Sequence, residues 1–130
     1  METRDAGLLT LRGSAFGQQN EVASMEEFFQ NNTLRPILKL QNDLLLAIFT
    51  TYIQQQKNSF YELGLAKKSI FIDNALQKDI TLKNTLKGTV VGLFTQQEYT
   101  DYATNASAIN RRIMGLITER LKSQLQLLEK

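Results

Sequence analysis

A chain of 130 residues, 42% hydrophobic and 22% charged, is long and apolar enough for one globular domain with its own core. It has no Cys, His or Trp, which excludes disulfides, thiolate chemistry, the usual general base near neutral pH and the commonest transition-metal ligand. The net charge of +2 hides an asymmetry: residues 1–30 hold two arginines against five carboxylates, and the basic excess lies in the remainder.

The opening Met1-Glu2-Thr3-Arg4-Asp5 is acidic and no long apolar run follows it, so no secretory signal and a cytoplasmic location are expected. The densest apolar stretch, Leu44-Leu45-Leu46-Ala47-Ile48-Phe49, falls far short of the ~20 residues that a membrane span needs. Residues 1–23 read as a flexible N-terminal arm, in which Gly7, Gly13 and Gly17 with Ser14, Gln18, Gln19 and Asn20 interrupt any period. Leu8, Leu9, Leu11 and Phe16 give that arm something to bury on its own body or on a neighbour.

A helical bundle domain is expected over residues 24–130. Ser24-Met25-Glu26-Glu27 has the capping-box pattern, and predicts a short helix to about Asn31 anchored by Phe28 and Phe29. Thr33-Leu34-Arg35-Pro36 reads as a second start, because proline suits a first helical turn. The helix from about Leu34 to Lys57 carries apolar residues over more than half its circumference, which places it centrally in the bundle or against another subunit.

Asn58-Ser59 marks a break, and Ser59-Phe60-Tyr61-Glu62 repeats the capping pattern before Gly64. A third helix is predicted from about Leu65 to Phe94, with Ile70, Ile72 or Phe71, Ala75, Leu76, Ile80, Leu82 and Leu86 inward. Gly88 and Gly92 share one face of it, which suits a tight crossing or a helix end. Thr95-Gln96-Gln97-Glu98 is the strongest capping box, because Tyr99 and Tyr102 follow at helical spacing. Unbroken to Glu129, the last helix would be about 50 Å long in a domain about 36 Å across. Either it kinks near Thr104-Asn105-Ala106-Ser107 or its end packs on a second chain, and the second is expected. The fold expectation is therefore all-α: three long helices and a short N-terminal one in a bundle, with an arm.

No catalytic residue, metal ligand set or cofactor motif emerges. A carboxylate–histidine di-metal site lacks its histidines, nucleophilic catalysis lacks an activator, and neither glycine-rich phosphate loop pattern occurs. Two polar clusters interrupt apolar faces: Arg35, Lys39, Gln41, Asn42 and Asp43 on the second helix, and Asn74, Gln77, Lys78 and Asp79 on the third. Facing each other, they would form a register-fixing network or a small-ligand or anion pocket. Arg111, Arg112, Arg120 and Lys122 make a basic stripe on the last helix, a weak candidate for nucleic acid.

The segments Asn32-Thr33-Leu34-Arg35-Pro36-Ile37-Leu38-Lys39-Leu40-Gln41-Asn42-Asp43, Asn74-Ala75-Leu76-Gln77-Lys78-Asp79, Leu86-Lys87-Gly88, Phe94-Thr95 and Glu98-Tyr99 resemble those of a family of small uncharacterised bacterial helical proteins. The resemblance covers roughly residues 24–130. Members of that family often carry the label glyoxalase. Glyoxalase enzymes depend on His-containing metal sites and this chain has no His, so the resemblance implies a helical fold and brings no catalytic residue.

The leading functional expectation is a non-catalytic interaction or structural protein working as a homo-oligomer, most simply a two-fold dimer. Its interface would use Leu40, Leu46, Phe49 and Ile53 from the over-wide apolar face and Leu121, Leu125 and Leu128 from the over-long last helix. The alternatives are a ligand binder or enzyme acting through the polar clusters, and a weak nucleic-acid binder acting through the last helix.

Overall fold

The structure, a computed structural model, describes residues 3–13 and 24–129. Among these residues every regular element is helical and there is no strand. No helix of theirs is long and apolar enough to cross a membrane. The expectations for Phe16, Gly17 and the polar residues 14–20 lie outside the described residues.

Among the described residues seven α-helical segments follow in order: α1 Arg4–Arg12, α2 Met25–Phe29, α3 Arg35–Gln55, α4 Leu65–Lys78, α5 Ile80–Val91, α6 Gln96–Thr104 and α7 Ala106–Ser123. The longer ones form the body. α5 and α7 touch each other, and both α3 and α4 pack on that pair. Their meeting faces bury Ile37, Leu45, Phe49 and Ile53 of α3, Ile72 and Leu76 of α4, Leu82 and Leu86 of α5, and Ile109, Ile113, Ile117 and Leu121 of α7. Phe49, Phe60 and Phe71 stack edge to face and close one end of the core, with ring centroids 5.2 to 6.4 Å apart.

Three of the predicted boundaries change. The expected stop between α2 and α3 is absent, and residues 25–55 run as one 31-residue helical rod. Pro36 cannot donate a backbone hydrogen bond and its ring crowds the carbonyl four residues earlier. The rod widens into a π-turn over Gln30–Leu34, immediately before it, and so passes the proline without breaking.

The single helix expected over residues 65–94 is instead broken at Asp79. Its backbone turns extended (φ −88°, ψ 103°), its N–H closes α4 on Ala75 O at 3.0 Å, and its carboxylate caps α5 by accepting from Leu82 N at 2.9 Å. The bend swings Ile80 outward to 71% exposure, and Ile70 is exposed as well, contrary to their predicted inward positions. Gly88 has open space where a side chain would go, so it marks no tight crossing. Gly92 is the C-cap of α5, a helix end.

The last helix also breaks, at Asn105 (φ −144°, ψ 41°), into α6 and α7. The 18 residues of α7 span about 27 Å and do not overshoot the domain. After α7 a short 3₁₀ turn, Leu125–Leu127, folds the chain back and buries Leu128. Phe49, Ile53, Leu121 and Leu128 of the expected oligomer interface therefore belong to the chain's own core, with Leu46 and Leu125 packed half-buried against it. Leu40 alone of that set is exposed, at 38%. Most of the wide apolar face of α3 is covered from within, by α5, α7 and α1, while Leu40 and Leu44, one turn apart, remain exposed at 38% and 49%.

Part of the expected arm is a docked helix. Thr3 caps α1 through Ala6 N, and Gly13 closes it at φ 76°, a left-handed conformation natural to glycine. Arg4 donates to Gly92 O and Phe94 O, both at 2.9 Å, and Gln96 N donates to Asp5 Oδ2 at 3.1 Å. Arg12 is buried and forms a two-pronged ion pair with Glu98 at 2.7 and 2.9 Å. The same carboxylate completes the capping box with Thr95 and accepts from Thr33 Oγ1 at 2.9 Å. One side chain thereby ties α1, the π-turn and the start of α6 together.

Candidate functional site

The buried residues of α7 recur at steps of four, which leaves its two flanks to line grooves on opposite sides of the helix. On the α4–α5 side lies a groove of about 810 Å³. Leu76 and Met114 give it an apolar floor, and over Gly115 it is open: a Cβ added there would meet nothing within 4 Å.

The walls of this groove are basic. Lys83 and Lys87 stand one turn apart on α5 and form no ion pair with any described residue. Among the described residues Arg111 donates only to the neutral Ser107 Oγ, at 3.2 Å. Lys122 is satisfied, with Nζ 3.0 and 3.1 Å from the Asp73 carboxylate. Glu119 at the rim has no ion-pair partner among the described residues. Three uncompensated cations thus face one uncompensated carboxylate.

On the other flank, α7 and the start of α3 border a smaller, open pocket of about 350 Å³, lined by Arg35, Leu38, Leu116, Arg120 and Gln124, with Glu119 again at the rim. Its polar wall is fixed by a reciprocal amide pair: Asn42 Nδ2 donates to Gln124 Oε1 at 2.9 Å, and Gln124 Nε2 donates to Asn42 Oδ1 at 2.8 Å. Arg120 donates to the same Asn42 oxygen at 3.3 Å, and Arg35 Nε to Asn31 Oδ1 at 3.3 Å. Neither guanidinium has a carboxylate partner among the described residues. Burial, and then the neighbouring Arg35 charge, lower the Arg120 pKa.

The two polar clusters singled out in the sequence do not meet each other, although Arg35 and Asn42 of the first come to the smaller pocket. Asp79 lines a third groove with Tyr52, Gln55 and Thr85, at the end of α3 remote from Arg35. α3 has 21 residues, which puts its ends about 30 Å apart. Burial, and then the Asp79 charge, raise the Tyr52 pKa there. Asp43, Asn74 and Lys78 are exposed, and Asp43 and Lys78 are not ion-paired to each other. Lys39 is exposed one turn beyond Arg35.

The basic stripe is likewise divided. Arg111 and Lys122 belong to the larger groove and Arg120 to the smaller pocket, while Arg112 donates to Gln30 Oε1 at 2.9 Å. Sequence reading missed Lys83, Lys87, Asp73 and Gly115; the lysine pair at helical spacing was the one available signal. No group of three or more carboxylates able to hold a metal occurs among the described residues. Comparison with protein-family models, with curated proteins and with solved structures gives no match for this chain.

Proposed function

We propose that this protein is a non-catalytic helical binding module whose α4–α5–α7 groove receives an acidic amphipathic segment of a partner protein. The supporting observation is the combination of an apolar floor, Leu76 and Met114, with the uncompensated Lys83, Lys87 and Arg111 around it. A volume of about 810 Å³ falls in the range of ligand-binding clefts. A helix laid in such a groove buries its apolar stripe while its carboxylates meet the lysines. The charge selects and steers; the apolar contact supplies most of the hold. We favour a partner segment over a second copy of the chain, because most of the apolar face of α3 is covered within one chain, leaving Leu40 and Leu44 exposed, and the last helix breaks.

The test uses a fluorescent amphipathic peptide of about 16 residues, ~24 Å as a helix, with leucines along one stripe and glutamates elsewhere. Its anisotropy should saturate with the full chain at low salt and weaken as salt is added. The double variant Lys83→Glu/Lys87→Glu should lose at least about tenfold in affinity. Gly115→Phe should block the groove while the protein stays folded, since its Cβ has free space. No saturable binding, equal binding of the lysine counterpart of the peptide, or indifference to both variants would overturn the proposal.

A further inference from the structure

We infer that the smaller pocket, between the start of α3 and the end of α7, binds a phosphate group gripped by Arg35 and Arg120. This site is separate from the groove proposed above and shares only the rim residue Glu119 with it.

Two guanidiniums face one pocket of about 350 Å³, and among the described residues each has only a single neutral side-chain partner, at 3.3 Å. A guanidinium carries five N–H donors in a planar fork, so most donors of both residues are unspent. Those of Arg120 are not sealed inside the protein, because the only buried side-chain polar atom left without a partner among the described residues is Arg12 Nε. The free donors therefore open toward the pocket and solvent.

The pocket is also organised in advance. Gln124 spends its amide on Asn42 and on Arg120 O, and Asn42 in turn holds the Arg120 guanidinium. This clamp gives Arg120 a fixed direction before any ligand arrives, which lowers the ordering cost of binding. Two like charges held together at the mouth of one pocket repel each other, and an anion between them reverses the sign of that interaction. A phosphate carries about −1.5 to −2 charges at neutral pH and presents tetrahedral oxygens to two forks at once. A single carboxylate offsets only one of the two guanidiniums. Leu38 and Leu116 supply the apolar side of the pocket, against which the carbon of a phosphate monoester can rest. Glu119 at the rim opposes an anion, which makes it a useful control.

The experiment titrates inorganic phosphate into the isotope-labelled full chain at ionic strength held constant with chloride, and follows backbone amide shifts. Saturable shifts centred on residues 120–124 are expected. Arg120→Gln and Arg35→Gln should each weaken binding by at least about tenfold. Arg35 is exposed, so its variant keeps the test sound even if loss of Arg120 disturbs the amide clamp. Glu119→Gln should tighten binding about threefold, and Arg111→Gln, in the larger groove, should leave it unchanged. A parallel titration with glycerol 3-phosphate separates the sources: tighter binding points to an esterified phosphate, and equal binding to phosphate alone. Shifts that grow linearly without saturating, persist in both arginine variants, or fall equally in Arg111→Gln would overturn the site.

Discussion

Arg12 and Arg120 both carry a guanidinium drawn into the protein, and their surroundings differ in depth of burial and in the counter-ion. Arg12, with a side chain only 2% exposed, meets the Glu98 carboxylate with both prongs and reaches Leu93 O at 3.3 Å. Arg120 is half-buried among the neutral amides of Asn42 and Gln124, with another arginine as its charged neighbour. In the first region the charge is spent on architecture, because it fastens α1 to the start of α6. In the second the charge is held in place but not neutralised. A buried charge with its counter-ion is a fixture; a partly buried charge without one is left for a ligand to complete.

The largest effect expected from this contrast is at Glu98. Glu98→Gln leaves the Arg12 charge buried without its partner and weakens the box at the start of α6, so it should cost about 3 kcal/mol of stability. Urea unfolding measures it. A loss below about 1 kcal/mol would place Arg12 in the same class as an exposed arginine and dissolve the comparison.

Acid should reveal the same group. Burial alone would raise the Glu98 pKa, but the hydrogen bond from Arg12, that from the Thr95 backbone, that from Thr33 and the Arg12 charge together outweigh it. The net result lies below the ordinary value of 4.5. Lowered in the folded state, the group contributes stability that is present above the unfolded pKa and is lost as pH falls through the folded one. The wild type should therefore weaken progressively below about pH 4.5, and Glu98→Gln should lose that part of the slope. Identical acid profiles for the two proteins would show that Glu98 is not what couples stability to pH.

Arg120 should behave in the opposite way. Arg120→Gln removes a charge that repels Arg35 and gives up one long hydrogen bond, so stability without phosphate should move by no more than about 0.5 kcal/mol. Adding phosphate should raise the wild-type melting temperature and leave that of the variant where it was, because a ligand stabilises only the form it binds. A loss as large as that of Glu98→Gln would make Arg120 a structural residue.

These contrasts show which parts of the molecule the sequence carries on its surface. The all-α character, the break at Asn58 and the capping box of Thr95 and Glu98 were legible, because each depends on residues within one or two turns. The break at Asp79 was not legible, because apolar residues on both sides of it, Ala75 and Leu76 before and Ile80 and Leu82 after, keep helical spacing across it. The π-turn before Pro36 is a compromise between two local preferences, and a rule for either one alone predicts a stop. Arg12 with Glu98 and Asn42 with Gln124 join residues 86 and 82 apart in sequence, and Arg35 with Arg120 meet only through packing of the start of α3 on the end of α7. No spacing rule reaches across those distances, so the two grooves had to wait for the fold.

The pair Lys122 and Asp73 supplies the smallest effect and the sharpest control. It is an ion pair by distance, at 3.0 Å, yet its side chains are 34% and 40% exposed. If burial together with pairing is what turns a charge into a fixture, this pair should contribute little. A double-mutant cycle through Lys122→Gln and Asp73→Asn should give a coupling of about 0.3 kcal/mol that fades as salt is raised. The same Lys122→Gln change should only mildly weaken the acidic peptide in the larger groove, because this cation is already engaged by Asp73, whereas Lys83 and Lys87 are not. A coupling above about 1 kcal/mol would mean that pairing matters irrespective of exposure, and the distinction between Arg12 and Arg120 would then rest on the missing carboxylate alone.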